Sequence, residues 1–278
     1  MNTSHGRVAG KVAFITGVAR GQGRSHAIAL AEEGADIVGL DICAQIDTVG
    51  YPMATPQDLE ETVRLVEKTG RSMHAVQADV RDADSVADAF QAGIAEYGHI
   101  DVVLANAGVM THTLPPHEHS RQAFRDAVDV MLVGVWNTLQ ASVPTLIDQG
   151  TGGAIVITSS AAGLWAPSTD MAGGYDGYVS SKFAVVGLMK SYAGALAKHS
   201  IRVNSVHPTG VATPMVMNDY FPQYVAANLD MVSKLVNPMP IEAIEAIDVS
   251  RAVLYLVSDD GRYVTGVTLP VDAGITAS

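Results

Sequence analysis

Short apolar, β-branched runs recur along the chain at 12–16, 36–41, 74–79, 101–106, 154–159, 202–207 and 268–272. Runs of that length, set between longer segments of helical period, predict strands. Between them apolar positions return at helical spacing over 22–33, 57–69, 85–97, 121–148, 178–198 and 241–258. Gly34, just after the first of these segments, is a C-terminal stop, and Thr55-Pro56 supplies an N-cap followed by proline at the first helical position. The alternation of strand and helix predicts an α/β fold: a Rossmann-like, doubly wound parallel sheet of seven strands with helices on both faces and right-handed crossovers.

The alternation runs to the last residues without an internal repeat or a linker of domain-separating length, so 1–278 is expected to form a single domain. Two segments interrupt the pattern: 42–56, which carries Gly50, Pro52 and Pro56, and 209–240, which carries four prolines. Both follow strand C-termini, the side on which open α/β sheets bind ligands. The first is a candidate cofactor-covering insertion and the second a candidate substrate-side segment.

Composition narrows the function classes. Of 278 residues 48% are apolar and 17% charged, against a usual charged share of about 25%, which excludes a disordered chain. Seventeen basic against 29 acidic residues leave a formal charge of −12, which repels nucleic-acid phosphates and anionic lipid. No apolar run approaches the ~20 residues of a membrane span, and the N-terminus lacks the pattern of a signal peptide, so a cytoplasmic protein is expected. The single cysteine, Cys43, agrees with a reducing compartment and reads as an apolar filler.

The first strand ends in Thr16-Gly17-Val18-Ala19-Arg20-Gly21-Gln22-Gly23 and a helix follows at once. Glycines there permit a tight turn and bring backbone N–H groups at a helix N-terminus against a pyrophosphate. Asp41 ends the second strand, where a carboxylate accepts the hydroxyls of an adenosine ribose and repels a 2′-phosphate, favouring NAD; Arg20 alone would favour NADP. Tyr178 and Lys182 stand four residues apart on one helical face, and the ammonium favours a phenolate that could take an alcohol proton. Thr158-Ser159-Ser160 puts hydroxyls at the sheet edge beside the same cleft, and Ser160 could hold the reacting oxygen.

These residues, with Asn106-Ala107-Gly108 after the fourth strand, resemble the short-chain dehydrogenase/reductases from about Val8 to Gly274. The resemblance implies a nicotinamide-dependent oxidoreductase in which Tyr178 is the general acid/base, Ser160 orients the carbonyl or alcohol oxygen, and Lys182 binds the nicotinamide ribose and lowers the Tyr178 pKa. By the same motifs Gly17, Arg20, Gly21, Gln22, Gly23, Asp41 and Ile42 would contact NAD. Asp79 and Val80 would lie against the adenine, Asn106, Ala107 and Gly108 along the cofactor, and Pro208, Val211 and Thr213 near the nicotinamide carboxamide. A homotetramer is implied as well.

The segments 19–26, 41–43 and 204–210 resemble more closely the mycofactocin-coupled or carveol-dehydrogenase-like subfamily. In that group the insertion after the second strand is thought to hold NAD in place for reoxidation by an external redox partner. The substrate expectation is accordingly a small apolar secondary alcohol, cyclic or terpene-like, or its ketone, with Met110, Trp165 and Met215 as candidate walls of its pocket.

Two departures stand out. Asp129-Val130-Met131-Leu132 places methionine where the family usually has an asparagine that supports a proton relay from the lysine, and a thioether cannot replace a side-chain amide. A dinucleotide-binding protein with impaired turnover is therefore the alternative reading. Ser160 and Tyr178 are also separated by more residues than is common in the family, which makes Tyr175 a competitor, although only Tyr178 has lysine at i+4. His112, His117 and His119 crowd one loop; it reads as a solvent loop, and no metal is expected.

Overall fold

The computed structural model describes residues 6–111, 120–166 and 168–277. Chain order runs β1 (Val12–Thr16), α1 (Gly21–Glu32), β2 (Asp36–Asp41), α2 (Pro56–Glu67), β3 (Met73–Gln77), α3 (Ala83–Tyr97) and β4 (Val102–Ala105). It continues through α4 (Ser120–Val128), α5 (Gly134–Gln149), β5 (Gly153–Thr158), α6 (Gly173–Leu196), β6 (Ile201–Pro208), α7 (Phe221–Ala227), α8 (Leu229–Val232), α9 (Ala246–Val257) and β7 (Thr268–Val271). The strands form one parallel seven-stranded sheet in the order β3-β2-β1-β4-β5-β6-β7. The chain reverses its direction of travel between β1 and β4, so the crevice above their C-terminal ends is the topological switch point.

Adjacent residues of a strand fall into opposite core layers. Phe14, Leu40, Val103, Ile155 and Val203 pack with Phe90, Leu139 and Val185 of α3, α5 and α6. Ile15, Ile37, Leu104, Val156 and Val206 pack with Leu30, Val253 and Leu256 of α1 and α9. Every side chain of β1 is buried, which explains why the central strands carry continuous apolar runs.

Three expectations change. The helix expected over 121–148 is two helices joined by a π segment, Asp129–Val133, where α5 begins against β3–α3: a Cβ on Gly134 would lie 2.7 Å from Val80 Cγ2. This combined stretch, Ser120–Gln149, is long and apolar enough to pass for a membrane span by composition, but half of its apolar window is buried against the rest of the fold. The helix expected from Tyr178 begins at Gly173, where a Cβ would collide with the Ser120 carbonyl, so Tyr178 sits in its second turn. The last helix starts at Ala246 rather than at 241, because Ile244 pairs as an isolated parallel bridge with Val211 and Glu245 forms a capping box with Asp248.

Candidate active site

The glycine turn after β1 is shaped by close approach. Gly17 takes φ +69°, and a Cβ there would lie 2.8 Å from Ala107 Cα; one on Gly23 would lie 2.0 Å from the Gly17 carbonyl oxygen. Only glycine lets β1, α1 and the β4 loop meet this tightly. Thr16 ties them together: its hydroxyl accepts the N–H groups of Asn106 and Ala107, both at 3.0 Å, while Asn106 Nδ2 donates to the Thr16 and Gly17 carbonyls. Arg20, the N-cap of α1, makes no side-chain cap, and Gln22 Oε1 is buried without a hydrogen bond among the described residues. An uncapped helix N-terminus and a glycine cradle at one cleft fit the phosphates of a dinucleotide, and the orphaned Gln22 Oε1 is an acceptor suited to a donor such as a hydroxyl.

Asp41 closes β2 and is only 7% exposed. Its carboxylate accepts the Ala19 N–H at 3.0 Å and the Cys43 N–H at 3.2 Å. Burial pushes its pKa up, against those two N–H groups and nearby Arg20. Each oxygen keeps a lone pair for a further donor such as a ribose hydroxyl. The Arg20 guanidinium stacks over the Tyr51 ring, 5.9 Å from its centroid.

That contact places the 42–56 insertion at the cleft. Ile46, Val49 and Tyr51 join the main core, and Tyr51 Oη accepts the Met110 N–H at 3.2 Å. Gln45 braces the loop from within: its Nε2 donates to the Val49 carbonyl at 2.8 Å and its Oε1 accepts the Met53 N–H at 3.1 Å. Thr48 Oγ1 donates to Asp126 Oδ2 of α4 at 2.6 Å. Asp126 also lies 3.7 Å from Arg81, whose guanidinium chelates Asp79 in the cleft wall. Gly50 faces the substrate-side segment so closely that a Cβ would lie 2.3 Å from the Tyr220 ring.

Lys182, 4% exposed, donates from Nζ to the Thr158 carbonyl at 2.8 Å and lies 5.6 Å from the centroid of the Tyr178 ring. Burial pulls its pKa down to about 8. Burial likewise raises the Tyr178 phenol, opposed by a hydrogen bond shared with the Ser160 side chain. Ser160 Oγ also accepts the Ala162 N–H at 3.1 Å. Met131 is fully buried; a Cβ on Gly108 would lie 3.8 Å from its sulfur and 3.7 Å from Lys182 Nζ, so the thioether and the ammonium both lie beside Gly108.

One cleft brings together Gly17, Arg20, Gly21, Gln22, Gly23, Asp41, Ile42, Asp79, Val80, Asn106, Ala107, Gly108, Tyr178, Lys182, Thr213 and Met215. Ser160 follows the lining residue Ser159 and reaches the site through Tyr178. Pro208, Val211, Met110 and Trp165 are not among the lining residues: Val211 is buried in its bridge to Ile244, and Met110 sits in the core, where its N–H serves Tyr51. Tyr175 packs with Tyr224 and Met231, and Tyr224 Oη donates to Asp170 at 2.8 Å, so Tyr175 belongs to the seat of α7 and α8 and is also not a lining residue.

Leu40, Val109 and Val130, which also line the cleft, carry no site signal in the sequence; Ile46, Met53 and Pro214 were covered only by the segments 42–56 and 209–240, and Thr158 only by its hydroxyl. Thr158 acts through its carbonyl, which has no sequence signature; Tyr51 was legible only as the aromatic of an insertion. His112, His117 and His119 lie outside the described residues; among those described, no three His, Cys, Asp or Glu side chains are placed to hold a metal ion.

Comparison with known proteins adds four likenesses. The sequence model of the enoyl-(acyl carrier protein) reductase family matches residues 17–276. An uncharacterized oxidoreductase of Mycobacterium tuberculosis is 51% identical over 266 residues, 95% of this chain and 96% of that one. The (−)-trans-carveol dehydrogenase of Rhodococcus erythropolis is 43% identical over 281 residues, 97% and 99% of the two chains. Among solved structures, carveol dehydrogenase from Mycobacterium avium in complex with NAD superposes with a TM-score of 0.90 at 44% identity, over 98% of this chain and 100% of that one.

Proposed function

The chain belongs to the short-chain dehydrogenase/reductases and is an NAD-dependent oxidoreductase, and from that premise we propose that it interconverts a small apolar secondary alcohol, cyclic or terpene-like as carveol is, with its ketone. The observation that carries the reading is the meeting of Tyr178, Ser160 and Lys182 beside a glycine cradle at the C-terminal edge of the sheet. Bound NAD supplies the hydride acceptor. Tyr178 takes the hydroxyl proton of the alcohol, Ser160 holds its oxygen, and the Lys182 ammonium favours the phenolate against the burial that opposes it. Met215 gives the cleft an apolar wall on the substrate side.

The insertion 42–56 covers the dinucleotide, so that NAD stays bound and is recycled in place by an external, mycofactocin-type acceptor. Its burial in the core, the Arg20–Tyr51 stack and the Thr48–Asp126 bond support this part of the reading. The whole chain acts as one domain of a cytoplasmic homotetramer; exposed Trp136 on α5 and Phe183 on α6 are apolar surface suited to such contacts.

The decisive test has two arms. Protein purified and dialysed without added cofactor is denatured and its nucleotide identified by mass spectrometry; stoichiometric NAD supports the covering insertion, and an empty protein that exchanges NAD freely removes it. Tyr178→Phe should abolish alcohol oxidation while NAD binding persists. The position of Met131 beside Gly108 favours one second reading, a dinucleotide-binding protein with impaired turnover. A large gain of activity in Met131→Asn would support it.

A further inference from the structure

His207 has no part in the scheme above, yet it is fully buried in β6 immediately behind Ser160. Its Nδ1 lies 2.9 Å from the Ser160 carbonyl oxygen and its Nε2 2.8 Å from Ser205 Oγ. A carbonyl only accepts, so Nδ1 carries the hydrogen; in a neutral ring Nε2 must then accept from the Ser205 hydroxyl. The ring is neutral because burial pulls its pKa down to about 4 and the Lys182 ammonium on α6 acts in the same direction, outweighing the Ser160 carbonyl and Asp272 after β7. The two bonds therefore select a single tautomer and orientation.

Ser160 needs such a support. The ladder between β5 and β6 ends with Ser159 N–H donating to the Val206 carbonyl, so Ser160 is the first residue past regular sheet pairing. Its carbonyl is gripped from two sides, by His207 Nδ1–H within the sheet and by the Gly163 N–H of the following turn. Its side chain meanwhile bonds Ala162 N–H and Tyr178. Holding the carbonyl fixes the backbone of the residue and the direction of its Cα–Cβ bond, and the Ala162 N–H then selects the position of Oγ on it.

We propose that His207 is a positioning residue: through its Nδ1–H bond to the Ser160 carbonyl it holds the Ser160 hydroxyl against Tyr178 in the geometry that proton transfer requires. This rests on the reading of Ser160 and Tyr178 given under the proposed function. His207→Leu removes the donor and keeps an apolar side chain in the strand; His207→Asn keeps an N–H near the Nδ1 position, whereas His207→Gln moves it toward Nε2. With NAD-loaded enzyme and carveol, His207→Leu should lower kcat by ~10²-fold with little change in KM, and His207→Asn should recover most of that loss.

A second readout does not depend on turnover. Ultraviolet difference titration, taken against the same protein carrying Tyr178→Phe, should place the Tyr178 phenol at higher pH in His207→Leu than in wild type, since the Ser160 bond that favours its ionised form is weakened. His207→Asn should restore the wild-type position and His207→Gln should not. Unchanged kcat and titration in His207→Leu, or equal losses in the Asn and Leu variants that track thermal stability, would overturn the positioning role. If His207→Leu fails to fold, the contrast between Asn and Gln decides. A wild-type protein that oxidises no secondary alcohol would sink the proposed function instead, and the titration would still settle His207.

Discussion

Thr48→Val tests whether the 42–56 insertion holds NAD in place. Thr48 is not among the residues lining the cleft and is nearly the same shape as valine, so the change leaves the cofactor's own contacts intact. What it removes is one bond, from Thr48 Oγ1 to Asp126 Oδ2 at 2.6 Å, between two buried residues each 6% exposed. A hydrogen bond to a charged group contributes about 1.5–3 kcal/mol. Asp126 keeps its bond from Gln122 Nε2 at 2.9 Å and its contact with Arg81, so the carboxylate is not stranded and the lower part of that range applies. If NAD leaves only after the insertion lifts, and the bond is absent in the lifted state, opening becomes easier by that amount. At about 1.4 kcal/mol per tenfold, the lower part of that range, about 1.5–2 kcal/mol, should accelerate NAD dissociation roughly 10-fold to 30-fold. The assay is the decay of protein-bound NAD into excess labelled NAD, followed by mass spectrometry after rapid desalting. Single-turnover hydride transfer should be nearly unchanged, because no side chain touching the reacting atoms is altered. An unchanged dissociation rate with the fold intact would refute the argument that this loop gates the cofactor.

The remaining predictions address other parts of the site. Tyr178→Phe should lower turnover by ~10²-fold to 10⁴-fold without weakening NAD, measured by steady-state kinetics beside calorimetric titration; weakened NAD binding would mean that the phenol serves the cofactor rather than the proton. Asp41→Asn leaves one oxygen for the two N–H groups that the carboxylate now accepts, so NAD affinity should fall and discrimination against NADP should shrink by ~10-fold, read from the ratio of dissociation constants. His26, fully buried between α1 and α9 with Nδ1 2.8 Å from Ser250 Oγ, has its pKa pulled by burial to about 4. The unfolded chain takes up a proton near pH 6.5 and the folded one does not, so stability is complete above pH 6.5 and falls as pH drops toward 4. The loss levels off below pH 4, after about 3 kcal/mol from this group by the linkage relation. Urea unfolding of His26→Gln beside wild type at pH 7 and 4.5 measures it, and parallel losses in both proteins would contradict the assignment.

Much of this protein was legible along the chain because a parallel sheet buries its strands on both faces. That physical fact writes the central strands β1, β4 and β5 as largely apolar runs and the covering helices as periodic ones, so element order and sheet class follow from local pattern. The glycine turn was legible for a similar reason: Gly23 stands where a side chain would strike the Gly17 carbonyl, a constraint met within one strand-turn-helix unit, although Gly17 itself is pressed by Ala107 after β4. Tyr178 and Lys182 shared a face by helical geometry alone. Tertiary contact decided the rest. Arg20, ambiguous between two cofactors in the sequence, is drawn over Tyr51 by an insertion whose apolar residues found the core. The expected 121–148 helix is interrupted by a π segment that ends where Gly134 meets Val80, and within that segment Val130 lines the cleft while Met131 is buried. Tyr175 was placed against α7 and α8, and Val211 in its bridge to Ile244, only by tertiary contact. Periodicity reports how each residue stands to its own element's axis, whereas a site depends on which elements meet, and here those meetings join residues as distant in sequence as Thr48 and Asp126 or Ser160 and His207.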